Sequence, residues 1–549
     1  MKTSVNQTLE PRCKAFLFSD GRELETLRLL YLHTEQRVNG IPSASLEVSV
    51  PGNAQHTLST DKEMALCQVG ATMSVKVYDD ELRRQVELFS GVITASSLTI
   101  IKGQAILSLI LKHKLIQLDN VIRSRVFTDK TDNEIIRAIC PSDVAKIDNQ
   151  ASMDIRHEQR VQFRCSDWRM LRYCLDACGA WLIATPAVVK IVQPKLAAQP
   201  EHQLQAEKGT LMEKASWQFS AVDQPTSLKL TAWDIDSQSL TSASAQQRTL
   251  GSGALKPGGG TRLSETPWVL GYGTSPSVEE LRRQADSLLL SLQIKGVQGE
   301  FSVQGSSKYQ PGQTLKLSGF GQYFDGTGMM TAVMHTITPS RWTTTIMLGP
   351  SGQALAVPPQ SQISGIQPGV VATYDKSDKL YRIRIHLNAL DSDKNKNQLW
   401  ARFAMPYATK GSSFICYPEP GDEVAVGFFE GNPDYPVIVG ALHNPERPPA
   451  VEPGKDKGLK GWKTDELQLQ IDTSNHTLML QAGDKSNLII DKSDAMTVKS
   501  DNGVNIIGKK GVSIEDSDGV SITGNGDKGV SIEGSGGVTI KGKKIDLTN

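Results

Sequence analysis

A chain of 549 residues is too long for one hydrophobic core and is expected to fold as three or four domains. With 59 Lys+Arg against 59 Asp+Glu, its formal net charge is zero, so the chain as a whole carries no basic footprint for nucleic acid or an anionic membrane. Abundant glycine (47 residues) and only 6% aromatics favour many short strands and turns over long helices.

The amino terminus, Met1 to Thr8, lacks the apolar stretch of a signal peptide, and no run is long and apolar enough for a transmembrane helix. The chain is therefore expected to be made in the cytoplasm without a signal peptide and, where it meets a membrane, to be delivered by something else. Seven cysteines (Cys13, Cys67, Cys140, Cys165, Cys174, Cys178 and Cys416) fit neither a disulfide framework nor a zinc spacing. Cys174 and Cys178 stand one helical turn apart and read as small apolar residues on a buried face.

Residues 1–360 read as mixed α and β with strands in the majority. Leu46–Val50 and Val75–Val77 alternate at the strand period of two. Short helices are predicted at 131–139, at 166–178 with Ser166 or Asp167 as cap, and at about 277–292 behind a Ser277-x-x-Glu280 capping box. Gly251–Thr261 is a glycine-rich loop without the Gly-Lys-Ser/Thr ending of a phosphate loop, and Ser351–Gln367 is a linker.

Residues 361–450 read as a small all-β barrel. Arg382–Leu387 and Glu423–Phe428 alternate cleanly, Gly431–Pro436 has the residues of a tight turn, and Val437–Gly440 reads as a buried closing strand.

Residues 451–549 carry a repeat. Gly-Val-x-Ile recurs at Gly503, Gly511, Gly519, Gly529 and Gly537, with spacings of 8, 8, 10 and 8. Looser copies precede it at Leu478/Leu480, Leu488/Ile490 and Met496/Val498. Two apolar residues flanking one polar residue lie on the same face of a strand, and the two-residue insertion keeps the faces in phase. Each repeat offers too few apolar side chains for a core of its own, so several chains around one axis are expected to bury Val504, Ile506, Val512, Ile514, Val520, Ile522, Val530, Ile532, Val538 and Ile540.

The barrel motifs Trp400–Pro406, Pro420–Val424 and Gly431-Asn-Pro-Asp-Tyr-Pro-Val-Ile-Val-Gly440, followed by this octad repeat, resemble the VgrG family, the spike proteins of type VI secretion and related phage-like contractile injection systems. More weakly, Phe89–Ile93, the Asp167-Trp168-x-x-Leu171 helix and Pro311–Leu315 resemble the family's tail-hub module.

The resemblance implies a mainly β fold with some α: tail-hub-like barrel domains with helices (1–360), an OB-fold domain (361–450) and a trimeric intertwined β-helix needle (451–549). It implies a homotrimer that adapts a sixfold inner tube to a threefold needle and punctures a membrane mechanically, with no cofactor, metal or catalytic residue. Implied partners are the first inner-tube ring, baseplate proteins, a PAAR-type tip protein near Ile545 and Leu547, effector cargo and, transiently, the target membrane. The short stretch between Asn444 and Leu467 leaves no room for the lysozyme domain of phage spikes, and the compact chain resembles spikes of extracellular injection particles.

Two other classes remain as alternatives. A trimeric β-helix glycan-degrading enzyme would use carboxylates such as Asp491, Asp494, Glu515, Asp516 and Asp518, which otherwise read as solvated turns. A receptor-binding fibre would be expected to end in a globular head.

Overall fold

The computed structural model of the protein describes residues 13–50, 61–194, 199–206, 212–246, 263, 266–349, 362–390, 397–493, 495–515, 517–524 and 529–546. The glycine loop at 251–261, linker residues 351–361, Met1–Thr8, Asp494, Asp516 and Leu547 lie outside them. The chain divides into two compact units, Met1–Leu442 and His443–Asn549.

In the first unit, strand alternation sets the core. Ala44, Leu46, Val48 and Val50 of strand Ser43–Val50 point inward, as do Ala105, Leu107, Leu109 and Leu111 of Gln104–Lys112. The two strands pair with Leu46 opposite Leu109 and Val48 opposite Leu107, so each inward residue meets another. Thirteen strands join in this one sheet. Its two halves are stitched by pairing of Arg28–Arg37 with Gly326–Thr338. It bends around two separate cores, one built on Leu46, Met73 and Leu109, the other on Phe301, Leu315 and Val333.

Four helices are described: α1 (Asp61–Leu66), α2 (Asp132–Ile139), α3 (Asp167–Cys178) and α4 (Val278–Lys295). The caps foreseen from sequence form. Thr131 and Glu134 make a reciprocal capping box on α2, Ser277 and Glu280 make one on α4, and Ser166 caps α3. Gly179 ends α3 in the left-handed conformation at φ 63°, which only glycine adopts without cost. Helices α2 and α3 share a core that includes Cys174 and Cys178. Helix α4 lays Leu281, Ala285 and Leu289 on a three-stranded sheet through Leu228, Leu230 and Ala243.

Strands Gln367–Tyr374, Ile383–Leu387, Gln398–Phe403, Pro436–Leu442 and Glu423–Phe428 close a five-stranded barrel. The closing strand differs from expectation. Ile438 is fully buried, but Val439 points outward and is 48% exposed, because the strand has one face on the barrel core and one on its outside.

The second unit begins with an antiparallel five-stranded sheet: Leu459–Lys463, Leu467–Asp472, Thr477–Ala482, Ser486–Ile490 and Met496–Lys499. Its turns use side-chain oxygens. Asp472 Oδ1 accepts the Ser474 and Asn475 N–H groups, and Asp491 Oδ1 accepts that of Ser493, which gives these carboxylates local turn roles.

One prediction concerns the large sheet. A Cβ on Gly91 would sit 2.2 Å from the Lys112 carbonyl oxygen, so the strands approach as they do only because the side chain is absent. Gly91→Ala is expected to destabilise the first unit by about 1–3 kcal/mol, read as a lower midpoint in chemical denaturation.

Candidate assembly surface

Strand register in the second unit sorts side chains onto two faces. Trp462 lies opposite Leu469, Leu469 opposite Leu480, Leu480 opposite Leu488, and Leu488 opposite Val498. The neighbouring row runs Ile471, Leu478, Ile490 and Met496. One face is thus apolar from edge to edge, with Leu467 and Ala482 completing it and Lys460 and Ser486 at its rim. The other carries Gln468, Gln470, Asp472, Gln481, Asn487, Thr497 and Lys499, with Leu459, Met479 and Ile489 interrupting its polarity.

Among the described residues nothing buries this apolar face. Trp462, Leu480 and Val498 are 49%, 47% and 49% exposed, and Met496 is 66% exposed. Together with Val504 the face lines an open hollow of about 530 Å³. A monomeric soluble protein rarely leaves so continuous an apolar patch in water.

The ten Val and Ile residues singled out from the repeats continue the pattern. In the single chain the valines, Val504 to Val538, are 47–52% exposed and the isoleucines, Ile506 to Ile540, are 61–69% exposed. The structure does not bring them together into a core within one chain. Among the described residues after Lys499 there is no strand, and the backbone hydrogen bonds there are confined to two corners, Gly511 N–H to Gly508 O and Gly537 N–H to Gly534 O.

The glycines divide into two roles. Gly503, Gly511, Gly519, Gly529 and Gly537 hold φ between 54° and 120°, and a Cβ on any of them would meet nothing within 4 Å. Their requirement is therefore conformational. Gly508, Gly524 and Gly534 are required by space: a Cβ would come within 2.3, 2.6 and 2.8 Å of the backbone at Gly511, Gly529 and Gly537. This second glycine, at three of the five corners, is a signal that the Gly-Val-x-Ile reading passed over. Ile545 is 52% exposed, whereas Leu547 lies outside the described residues.

In the first unit, the Gly431–Pro436 turn has a second use that local turn chemistry does not reveal. Asp434 Oδ2 accepts from Arg160 Nη1 at 2.9 Å, and its Oδ1 from the Val161 N–H at 2.6 Å. Gln159 acts as a substitute strand: its Oε1 accepts the Trp400 N–H at 2.8 Å, and its Nε2 donates to the Asp434 carbonyl at 2.6 Å. Val161 and Phe163, from the same strand, sit in the barrel core beside Ile385, Leu399 and Val426. Glu430 adopts a left-handed φ of 52°, and its Oε1 accepts the Gly273 N–H at 2.6 Å. The barrel is thereby welded to the 1–349 part through a shared apolar core ringed by buried ion pairs. Arg160 and Asp434 are each only 5% exposed, and the Arg160 guanidinium remains charged: burial opposes the charge, but Tyr173, Asp434, Asp132 and Glu280 around it hold its pKa well above the ordinary value.

Among the described residues no three His, Cys, Asp or Glu side chains are grouped to hold a metal ion. No helix there is long and apolar enough to cross a membrane.

The weld makes a quantitative expectation. Asp434→Ala removes one of the two carboxylates paired with the buried Arg160 guanidinium and is expected to cost about 3–5 kcal/mol. Glu158→Ala removes an exposed partner of Arg382 and is expected to cost about 0–1 kcal/mol. Denaturation midpoints of the two variants measured side by side distinguish the weld from ordinary surface pairing.

Against this geometry, two sequence families match. Residues 13–339 match the Alg8 N-terminal domain, and residues 367–443 match the type VI secretion system/phage-baseplate injector OB domain. Type VI secretion system spike protein VgrG1c of Pseudomonas aeruginosa is 33% identical over 73 residues, 13% of this chain and 10% of that protein. VgrG5 of the same organism is 28% identical over 113 residues, 20% of this chain and 14% of that protein. The chain thus spans only a small part of the length of the curated relatives it matches.

Among solved structures, an E. coli component of the type VI secretion system, described as similar to T4 bacteriophage tail proteins gp27 and gp5, superposes with a TM-score of 0.50 at 15% identity. The match covers 78% of this chain and 99% of that one. A Francisella PdpA–VgrG complex gives a TM-score of 0.58 at 9% identity, covering 89% and 88%. At these identities the likeness is one of fold. By a match across 13–339, more than half of its 549 residues, the chain belongs to the Alg8 N-terminal domain family, and it carries behind that domain the injector OB domain found in VgrG-type spike proteins.

Proposed function

We propose that the protein is the homotrimeric central spike of a contractile, phage-tail-like injection machine. Residues 1–360 form the hub module that adapts a sixfold inner tube to threefold symmetry. Residues 361–450 form the OB domain, and 451–549 a three-chain β-helix that punctures a target membrane by thrust. The observation that carries this reading is the uncovered apolar face from Trp462 to Val498, continued by the Val and Ile pairs up to Ile540.

Energetics support association. Moving a large aliphatic side chain out of water contributes roughly 1.5–3 kcal/mol, and about half of that for one already half covered. A face of this size, with the repeats behind it, exceeds the roughly 4–15 kcal/mol cost of bringing chains together. Three chains also give every arm a neighbour on each side and leave no open edge.

In this reading the Val504–Ile540 set lines the axis, and a PAAR-type tip protein binds near Ile545 and Leu547. The hub meets the first inner-tube ring and baseplate proteins, effector cargo travels with the spike, and the particle is delivered outside the producing cell. The role is mechanical rather than catalytic, in keeping with relatives that are named as spike proteins. Release of sugar from a polysaccharide panel by the full chain would overturn that part.

Light scattering of the full chain is expected to give three times 59.8 kDa, and a truncation ending at Pro453 is expected to lose that mass. The double variant Leu469→Lys/Leu480→Lys is expected to do the same while leaving the far-ultraviolet signal of the first unit in place. A stable monomer of the full chain at micromolar concentration would sink the proposal.

A further inference from the structure

His157 occupies the centre of the weld and is only 5% exposed. Its Nε2 lies 2.9 Å from Asp132 Oδ2 on α2, and its Nδ1 lies 2.6 Å from Glu280 Oε1 on α4. A neutral imidazole has one N–H and one lone pair, so it donates to only one of these carboxylates; both bonds form only in the imidazolium. A third neighbour stands beside the ring. Arg160 Nη2 lies 2.8 Å from Nδ1 and 3.0 Å from Nε2.

We propose that His157 is a proton-operated clasp between α2 and α4: protonated, it ties Asp132 to Glu280, and on losing the proton it keeps a single N–H, so its bare Nδ1 faces the Glu280 carboxylate and that bond is given up. Glu280 then keeps Arg160 Nη2 at 3.3 Å and the Ser277 N–H at 2.9 Å, but loses its shortest bond. Because Glu280 also closes the capping box of α4, the step loosens the helix that covers the three-stranded sheet.

The surroundings on every side fit a removable proton. On its own strand, Arg160 opposes the imidazolium; on α2 and α4, Asp132 and Glu280 favour it. On α3, Tyr173 accepts from Arg160 at 2.9 Å, and the Cys178 thiol lies 3.4 Å from Asp132 Oδ2. Cys174 stands beside the Asp132 carboxylate, and Arg283 of α4 faces Cys178. From the barrel turn, Asp434 balances Arg160, with Tyr435 beside it.

The direction of the pH effect follows. Burial lowers the His157 pKa, but the bonds to Asp132 and Glu280 outweigh it and hold it above 6.5. Its contribution is therefore complete below 6.5 and lost as pH rises through the raised value. Glu280 runs the other way. Burial raises it, but His157 and Arg160 hold it down at about 2, and Asp132 is lowered likewise. Their share is present above the ordinary carboxylate range, about 4, and lost as pH falls through their lowered values. The clasp is whole between those limits and opens on the alkaline side.

Histidine C2-hydrogen exchange of the full chain, followed by mass spectrometry across pH, reads this directly in the unmutated protein. The half-point of His157 is expected above 6.5, and more than one unit above those of His113 and His335, which burial lowers to about 4. A half-point at or below 6.5 overturns the clasp. As a second measurement, the melting temperature of the full chain is expected to fall as pH rises from 6 to 9, with His157→Gln removing most of that slope. Equal slopes in the two proteins would also overturn it.

Discussion

Apolar surface that a chain cannot cover by itself governs the carboxy-terminal unit. A sheet with one apolar and one polar face is a stable object only as half of something, because water on the apolar face costs free energy in proportion to its area. The first unit solves the same problem internally. Its large sheet bends around two cores, α4 roofs a small sheet, and the barrel closes on itself. Among its described residues the second unit has no helix and no second layer, and its repeats offer too few apolar side chains for a core of their own. Its residue choice fits burial supplied from outside: aliphatic pairs on one side, Ser, Asn, Asp, Lys and Thr on the other, and glycine corners between.

A different constraint governs the junction of barrel and amino-terminal module. A joint between two modules keeps one geometry only where sliding breaks specific contacts. Apolar contact alone is tolerant of sliding, since its energy depends on area rather than direction. The weld adds direction to area. Gln159 reads the backbone of Trp400 and Asp434, and Asp434 holds Arg160 and the Val161 N–H at once, so any sideways shift breaks several buried hydrogen bonds together. Buried charge adds little net stability compared with a well-packed apolar contact, but it penalises every misaligned state heavily.

What could be seen in the sequence was local. Thr131 with Glu134 and Ser277 with Glu280 announce helix starts because both partners of each cap lie three residues apart. The repeat was visible because its period is short and strict. The barrel strands showed through alternation, although Val439 exposes the limit of that signal: an apolar residue in a short run carries no mark of which way it faces. Contacts between residues far apart in the chain left no trace. Arg160 and Asp434 are 274 positions apart, and His157 and Glu280 are 123 apart. Asp434 was read correctly as a turn former, and nothing in Asn-Pro-Asp-Tyr-Pro says that the same carboxylate reaches another module. The apolar face at Trp462–Val498 was half visible. Its Leu and Ile pairs appeared as loose repeats, but the register that sets Trp462 beside Leu469 on that face is a property of strand pairing.

The glycine pattern ties these levels together. One set of repeat glycines is demanded by backbone conformation and the other by the closeness of two backbones, so three of the five corners are specified twice. Substituting the first kind strains the chain where it stands, whereas substituting the second pushes successive arms apart. Both leave the Val and Ile residues untouched and change only where the backbone carries them. The apolar residues set how much surface is there to be buried, and the glycines set the register in which it stands.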